Sequence, residues 1–175
     1  MNPIEIRYGG DSNLRKYLTY IHNRHDNYKT STNKIAIELA IGGQTVGQLQ
    51  KRIKRCRSKY VFKIAKQITI MIGTNDILKN YSFSIMKNGM TRMLTQLKKS
   101  NVLVKLITIP PIISGTKIHK NRILYFNRFL RKLKYHNIIL IDLHKSLRDD
   151  PRNYLERDGI HLNHKGLRKL QEIMT

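Results

Sequence analysis

Three short strings carry residue types from which an acyl-transfer site can be built: Gly10-Asp11-Ser12, Gly73-Thr74-Asn75-Asp76 and Asp158-Gly159-Ile160-His161. A serine hydroxyl is a weak nucleophile until a neighbouring base takes its proton. His161 is the candidate base for Ser12. Asp158 lies three residues before it, a spacing that lets one turn carry both, so that the carboxylate can hold the ring's tautomer and stabilise the imidazolium. The oxygen that becomes negative during acyl transfer needs hydrogen-bond donors, each typically worth ~3 kcal/mol. The candidates are the Ser12 N–H, the Gly43 N–H in "IGGQTVG" (41–47), where a missing Cβ allows close approach, and the side-chain amide of Asn75. Gly73, Asp76 and Asp11 read as scaffolding. Taken singly, each string has a plainer reading: Ser12 as a helix N-cap, "DGIH" as a turn with a capping Asp and a surface His. The elements that carry the strings must decide.

Those elements alternate. Strand candidates are "IEIRY" (4–8), "KIAIELA" (34–40), "KQITIMI" (66–72), "VLVKLITI" (102–109) and "NIILID" (137–142). Several are nearly continuous in β-branched residues, which suits strands covered on both faces. Helix candidates fall near 13–26, 46–58, 84–99, 120–135 and 164–174. The third carries an apolar stripe of Met86, Met90, Met93, Leu94 and Leu97. The fourth carries Ile123, Leu124, Phe126, Phe129, Leu130 and Leu133, and both stripes read as core. Alternation of this kind predicts a parallel sheet with helices on both sides, an α/β three-layer α/β/α sandwich. The 175 residues contain no repeat or linker, so one domain over 1–175 is expected. In such sheets, ligands bind beyond the carboxyl ends of the strands. The strings above, with "PPIISG" (110–115) and "RDGIHLNHKG" (157–166), all fall there.

The charge points to a different kind of partner. Thirty-four Lys and Arg against 11 Asp and Glu give a net +23, and between Glu38 and Asp142 the only acid is Asp76. Such a field favours polyanions, nucleic acid first and an anionic membrane surface second. The densest run, "KRIKRCRSKYVFKIAK" (51–66), offers Lys51, Arg52, Lys54, Arg55, Arg57 and Lys59 as candidate phosphate contacts, with Tyr60 and Phe62 interleaved. Arg128, Arg131, Lys132 and Lys134 on the fourth helix form a second candidate patch. Either run also reads as a solvated face. The single cysteine, Cys56, excludes an internal disulfide, fits a reducing compartment and reads as structural. His144, His161 and His164 lack the cysteine or carboxylate cluster that would complete a metal set, so no metal is expected. No phosphate-binding Gly-rich loop is present, no signal peptide is expected from the first residues, and the longest apolar stretch (101–113) is too short to span a bilayer. An intracellular protein without integral membrane association is expected.

Four of these strings, in order and each at a strand end, resemble the conserved blocks of the SGNH (GDSL-type) hydrolases. Gly10-Asp11-Ser12 is similar to the first block, Gly43 to the second, Gly73–Asp76 to the third and Asp158–His161 to the fifth, so the resemblance spans 10–161. It implies a flavodoxin-like sandwich around five parallel strands. It also implies Ser12 as nucleophile, His161 as base, Asp158 as orienting acid, and Ser12, Gly43 and Asn75 as oxyanion donors. The chain departs from the pattern at Asn13, where the family usually has Leu, and at Gly9, an extra glycine before the first block. Asn13 could alter the packing of the first helix or reach into the site. The chain is also short for the family, leaving little material for a lid, which favours a small acyl group.

"IGTNDIL" and "RDGIHLNHKG", with the basic charge, most resemble a subgroup of compact domains in the first open reading frame of some non-LTR retroelements. The related domain of the insect germ-plasm protein Oskar shares the fold, lacks the triad and binds RNA. The expected function is thus a serine esterase acting on small ester or acetyl groups without a cofactor, with RNA contact able to coexist. The alternatives are an RNA-binding module on the same fold without catalysis, and an enzyme of anionic membrane surfaces.

Overall fold

The computed structural model describes residues 4–25, 36–57 and 62–175. Strands β1 (Ile4–Gly10), β2 (Ala36–Ala40), β3 (Phe62–Met71), β4 (Leu103–Ile107) and β5 (Ile138–Ile141) form one sheet in the order β2-β1-β3-β4-β5. Every neighbouring pair is parallel. Helices α1 (Ser12–His25), α2 (Val46–Arg57), α3 (Thr74–Leu78), α4 (Phe83–Lys99), α5 (Lys117–Arg131), α6 (Leu143–Leu147), α7 (Pro151–Tyr154) and α8 (His164–Met174) are the helices among the described residues. The expected three-layer α/β/α architecture is the observed one.

Period-two alternation divides the sheet between two cores. Ile68, Ile70, Val104 and Leu106 face α2, α4 and α5, where Leu49, Met90 and Phe126 are fully buried. Met71 and Ile107, each one residue further along, face the other way and pack with Leu14 and Leu18 of α1, Leu143 of α6 and Leu170 of α8. The α4 stripe is buried at all five positions. Each such side chain contributes about 1.5–3 kcal/mol by burial, of the same order as the cost of ordering its own residue.

The α5 stripe needs a correction. Ile123, Phe126 and Leu130 are buried, but Leu124 is 48% exposed. One residue is a 100° turn on a helix, so the neighbour of a core residue can fall on the solvent side. Helix α5 also starts three residues earlier than expected, because Thr116 and His119 form a reciprocal capping box. It ends at Arg131, which leaves Lys132 as its C-cap and Lys134 beyond it. The "GTND" string, expected as a loop, opens the short α3. The α6 and α7 turns lie in a stretch given no element, and residues 34–35 of the second strand candidate lie outside those described. No helix among the described residues is long and apolar enough to cross a membrane.

Candidate functional site

The capping question at Ser12 has a structural answer. Asp11, fully buried at the end of β1, accepts the Asn13 N–H on Oδ1 at 3.1 Å and so caps α1. Ser12 is the first helical residue and its hydroxyl is left for another partner. That partner is His161, whose Nε2 lies 2.9 Å from Ser12 Oγ across 149 positions of sequence. On the far side of the ring, Nδ1 lies 2.5 Å from Asp158 Oδ2. An ionised carboxylate can only accept, so Nδ1 carries the ring proton and Nε2 presents a lone pair to the serine.

Local backbone bonding fixes the Asp158–His161 turn. Asp158 Oδ1 accepts the N–H groups of Ile160 and His161 at 2.9 and 3.0 Å. Partial burial alone would raise the Asp158 pKa, but these bonds and the imidazole hold it down at about 2. It is a carboxylate at any pH where His161 could act as a base. Gly159 has φ +66°, and its carbonyl accepts the Ile113 N–H at 2.8 Å. A Cβ there would lie 2.5 Å from Ser114 Oγ, which itself hydrogen-bonds the Asp158 carbonyl. The loop after β4 thus buttresses the turn that carries the histidine.

The loops bearing the candidate oxyanion donors are tied together as well. Gln44 Nε2 donates to the Gly10 and Leu39 carbonyls at 2.7 and 2.8 Å, joining the ends of β1 and β2. Asn75 Nδ2 donates to the Gln44 carbonyl at 3.1 Å, and Asp76 Oδ2 accepts the Val46 N–H at 3.0 Å. Gly43 is exposed with φ +75°, and nothing lies within 4 Å of where its Cβ would be. Its carbonyl accepts the Lys79 ammonium at 3.3 Å. Ser12, Gly43 and Asn75 therefore share one sheet edge, with one Asn75 amide hydrogen already committed to Gln44. Burial pushes the carboxyl groups of Asp11 and Asp76 up to about 6, against hydrogen bonds that lower them. For Asp11 the chief one comes from the Asn13 N–H; for Asp76 it comes from the Val46 N–H.

The basic candidates lie elsewhere. Lys51, Arg52, Lys54 and Arg55 are exposed on α2, Arg57 is its last residue, and Lys59 lies outside the described residues. Arg131 is taken up in a two-pronged pair with Asp142 at 2.8 and 2.9 Å and leaves the second patch. A different cluster stands beside it. Phe83 and Lys87 of α4, Tyr125, Arg128 and Phe129 of α5, and Lys132 line one groove. There Lys87 sits over Phe129 and Arg128 over Tyr125, each 5.9 Å from the ring centre. Glu156, Asp158 and His161 bring potential metal-ligand atoms within 4.8 Å of one another. Those atoms already have partners, since Glu156 pairs with Lys16 at 2.5 Å and the other two pair with each other.

Gln44 and Ser114 carry structural roles that sequence reasoning did not assign. Gln44 lies inside the 41–47 motif, and a large polar side chain between two glycines and α2 is the available signal. Ser114 gave none.

The OSK domain family profile matches residues 16–155. The matched segment holds Gly43 and Asn75; it begins after Ser12 and ends before Asp158 and His161. No curated protein matches the chain. Among solved structures, a lipolytic protein of the G-D-S-L family from Veillonella parvula is similar at 20% identity and a TM-score of 0.76, covering 97% of this chain and 95% of its own. An acetyl xylan esterase is similar at 24% identity, 98% coverage of both chains and a TM-score of 0.74. A lipase/acylhydrolase from Enterococcus faecalis is similar at 21% identity, 98% and 93% coverage and a TM-score of 0.72. The fold is that of the SGNH hydrolases.

Proposed function

The chain belongs to the OSK domain family, and we propose that this member is a serine acyl hydrolase acting on small ester or acetyl groups. The observation that carries the reading is the unbroken relay from Asp158 Oδ2 through the His161 ring to Ser12 Oγ, at 2.5 and 2.9 Å. As Oγ bonds to the substrate carbonyl carbon, its proton passes to Nε2 and the carbonyl π electrons move onto oxygen. The N–H groups of Ser12 and Gly43 and the second Asn75 amide hydrogen are the donors for that oxygen. Collapse expels the alkoxide, which takes the proton from the imidazolium and leaves an acyl-serine. Water then repeats the sequence, losing its proton to Nε2 and releasing the acid and the free serine. The exposed Gly43 loop supports a site open to small acyl groups. The activities named for the acetyl xylan esterase and lipase/acylhydrolase neighbours support the reaction class. The test is hydrolysis of a short-chain chromogenic ester by wild type and Ser12→Ala between pH 5 and 9. Activity is expected in the first and absent from the second; equal, negligible rates in both would sink the reading.

A second reading, RNA binding by the same fold, is supported by the groove between α4 and α5. Aromatic faces on which bases can stack alternate there with cations placed for phosphates. It can stand beside catalysis or in its place.

A further inference from the structure

The residue after the nucleophile holds the histidine. Asn13 is 1% exposed, in the first turn of α1. Its Oδ1 accepts the Leu162 N–H at 2.9 Å and its Nδ2 donates to the Ile160 carbonyl at 3.4 Å. Those are the backbone groups on either side of His161. The opposite edge of the same segment is paired with main chain: the Glu156 N–H donates to the His161 carbonyl at 2.8 Å, and the Asn163 N–H to the Tyr154 carbonyl at 3.0 Å. The segment 160–163 is thus held as a central strand would be. One neighbour is the backbone of 154–156, and the other is a side-chain amide that stands in for a peptide group.

We propose that Asn13 is a positioning residue for His161, fixing the main chain that carries the base relative to the helix that carries the nucleophile. Ser12 and Asn13 are consecutive, so a single helical turn presents the hydroxyl to Nε2 and the amide to the backbone behind it. A leucine at this position could form neither bond, and the Leu162 N–H and Ile160 carbonyl would lose partners that are costly to leave unmade in a buried place. The inference rests on the acyl-hydrolase reading, since a base needs accurate placement only if it acts.

The test compares wild type, Ser12→Ala, Asn13→Leu and Asn13→Ser by ester hydrolysis and by labelling with a fluorophosphonate. In that labelling the Ser12 Oγ–P bond forms and fluoride leaves. For the Asn13 variants kcat and the labelling rate should fall ~10- to 100-fold, the scale set by displacing a reacting group by about an ångström. KM should change less than about twofold. The downfield proton resonance of His161 Nδ1–H should broaden, which a change in stability alone would not produce. Asn13→Ser carries the test if Asn13→Leu fails to fold, because its smaller side chain leaves room for water at the Leu162 N–H. A labelled wild type and an equally fast Asn13→Ser with an unaltered resonance overturn the inference and leave the enzyme reading in place. A wild type that is neither labelled nor active removes both.

Discussion

His161 can accept a proton from Ser12 only while Nδ1 holds its own, and the one group that enforces this tautomer is Asp158 Oδ2 at 2.5 Å. Asp158→Asn should therefore be far more damaging than its size implies. The asparagine can keep its oxygen on the Ile160 and His161 N–H groups, which presents its NH₂ to Nδ1 and drives the ring proton to Nε2. That orientation blocks the base. A loss of ~10⁴ in kcat is expected, with little change in the thermal midpoint, and steady-state kinetics beside a melting curve will check it. Gly159→Ala should behave in the opposite manner. Its φ of +66° and the 2.5 Å approach to Ser114 Oγ strain any Cβ, so the turn itself should loosen and the melting midpoint should drop. At this scale the contacts that could be anticipated from the sequence were those between short strings, since Ser12, Asp158 and His161 lie in recognisable motifs. The role of Asn13 could not be read in the same way. Its partners are 147 and 149 residues away, and nothing in an asparagine's neighbours announces which backbone groups it will meet.

The elements that hold these loops enclose two carboxyl groups, Asp11 under α1 and Asp76 at the start of α3, each pushed up to about 6 by burial. An aspartate whose pKa rises from 3.8 unfolded to about 6 folded binds more protons in the native state. Its contribution to stability is fully present below about pH 4 and is lost as the pH rises through about 6. For the fully buried Asp11 the change is on the order of 3 kcal/mol. Burial lowers the pKa of His144, which acts in the opposite direction, and the two are separated by mutation. Asp11→Asn keeps an oxygen for the Asn13 N–H but cannot ionise. Its urea midpoint should fall less than that of wild type between pH 5 and 8, and parallel curves would refute the assignment. The element pattern itself was readable because burial in a parallel sheet writes long β-branched runs, and because the α4 stripe keeps strict three-and-four spacing. The misreadings came from short-range effects: the Thr116–His119 box that starts α5 early, and Leu124, which is apolar yet points to solvent.

At the scale of the whole molecule, a net charge of +23 must act on whatever approaches, and the two basic surfaces should act differently. The exposed α2 face carries Lys51, Arg52 and Lys54 without an aromatic partner among the described residues, so it can neutralise phosphates and do little else. The α4–α5 groove adds ring faces, with Tyr125 60% exposed. Retention of single-stranded RNA should therefore fall steeply with salt. Replacing Lys51, Arg52 and Lys54 by Gln should lower the slope of log affinity against log salt by about one for each phosphate contact removed. Tyr125→Ala should weaken binding by about 1–3 kcal/mol and leave that slope unchanged, because stacking releases no counterion. Ser12→Ala should alter neither quantity, since Ser12 lies at the carboxyl edge of the sheet and the groove between two helices. RNA affinity that is insensitive to salt, or that disappears with Ser12, would contradict this division. If Tyr125→Ala and the triple change each weaken binding in the expected manner, the same fold supports an acyl-transfer edge and a separate polyanion face. Hydrolysis of a neutral ester should then proceed unchanged with RNA bound.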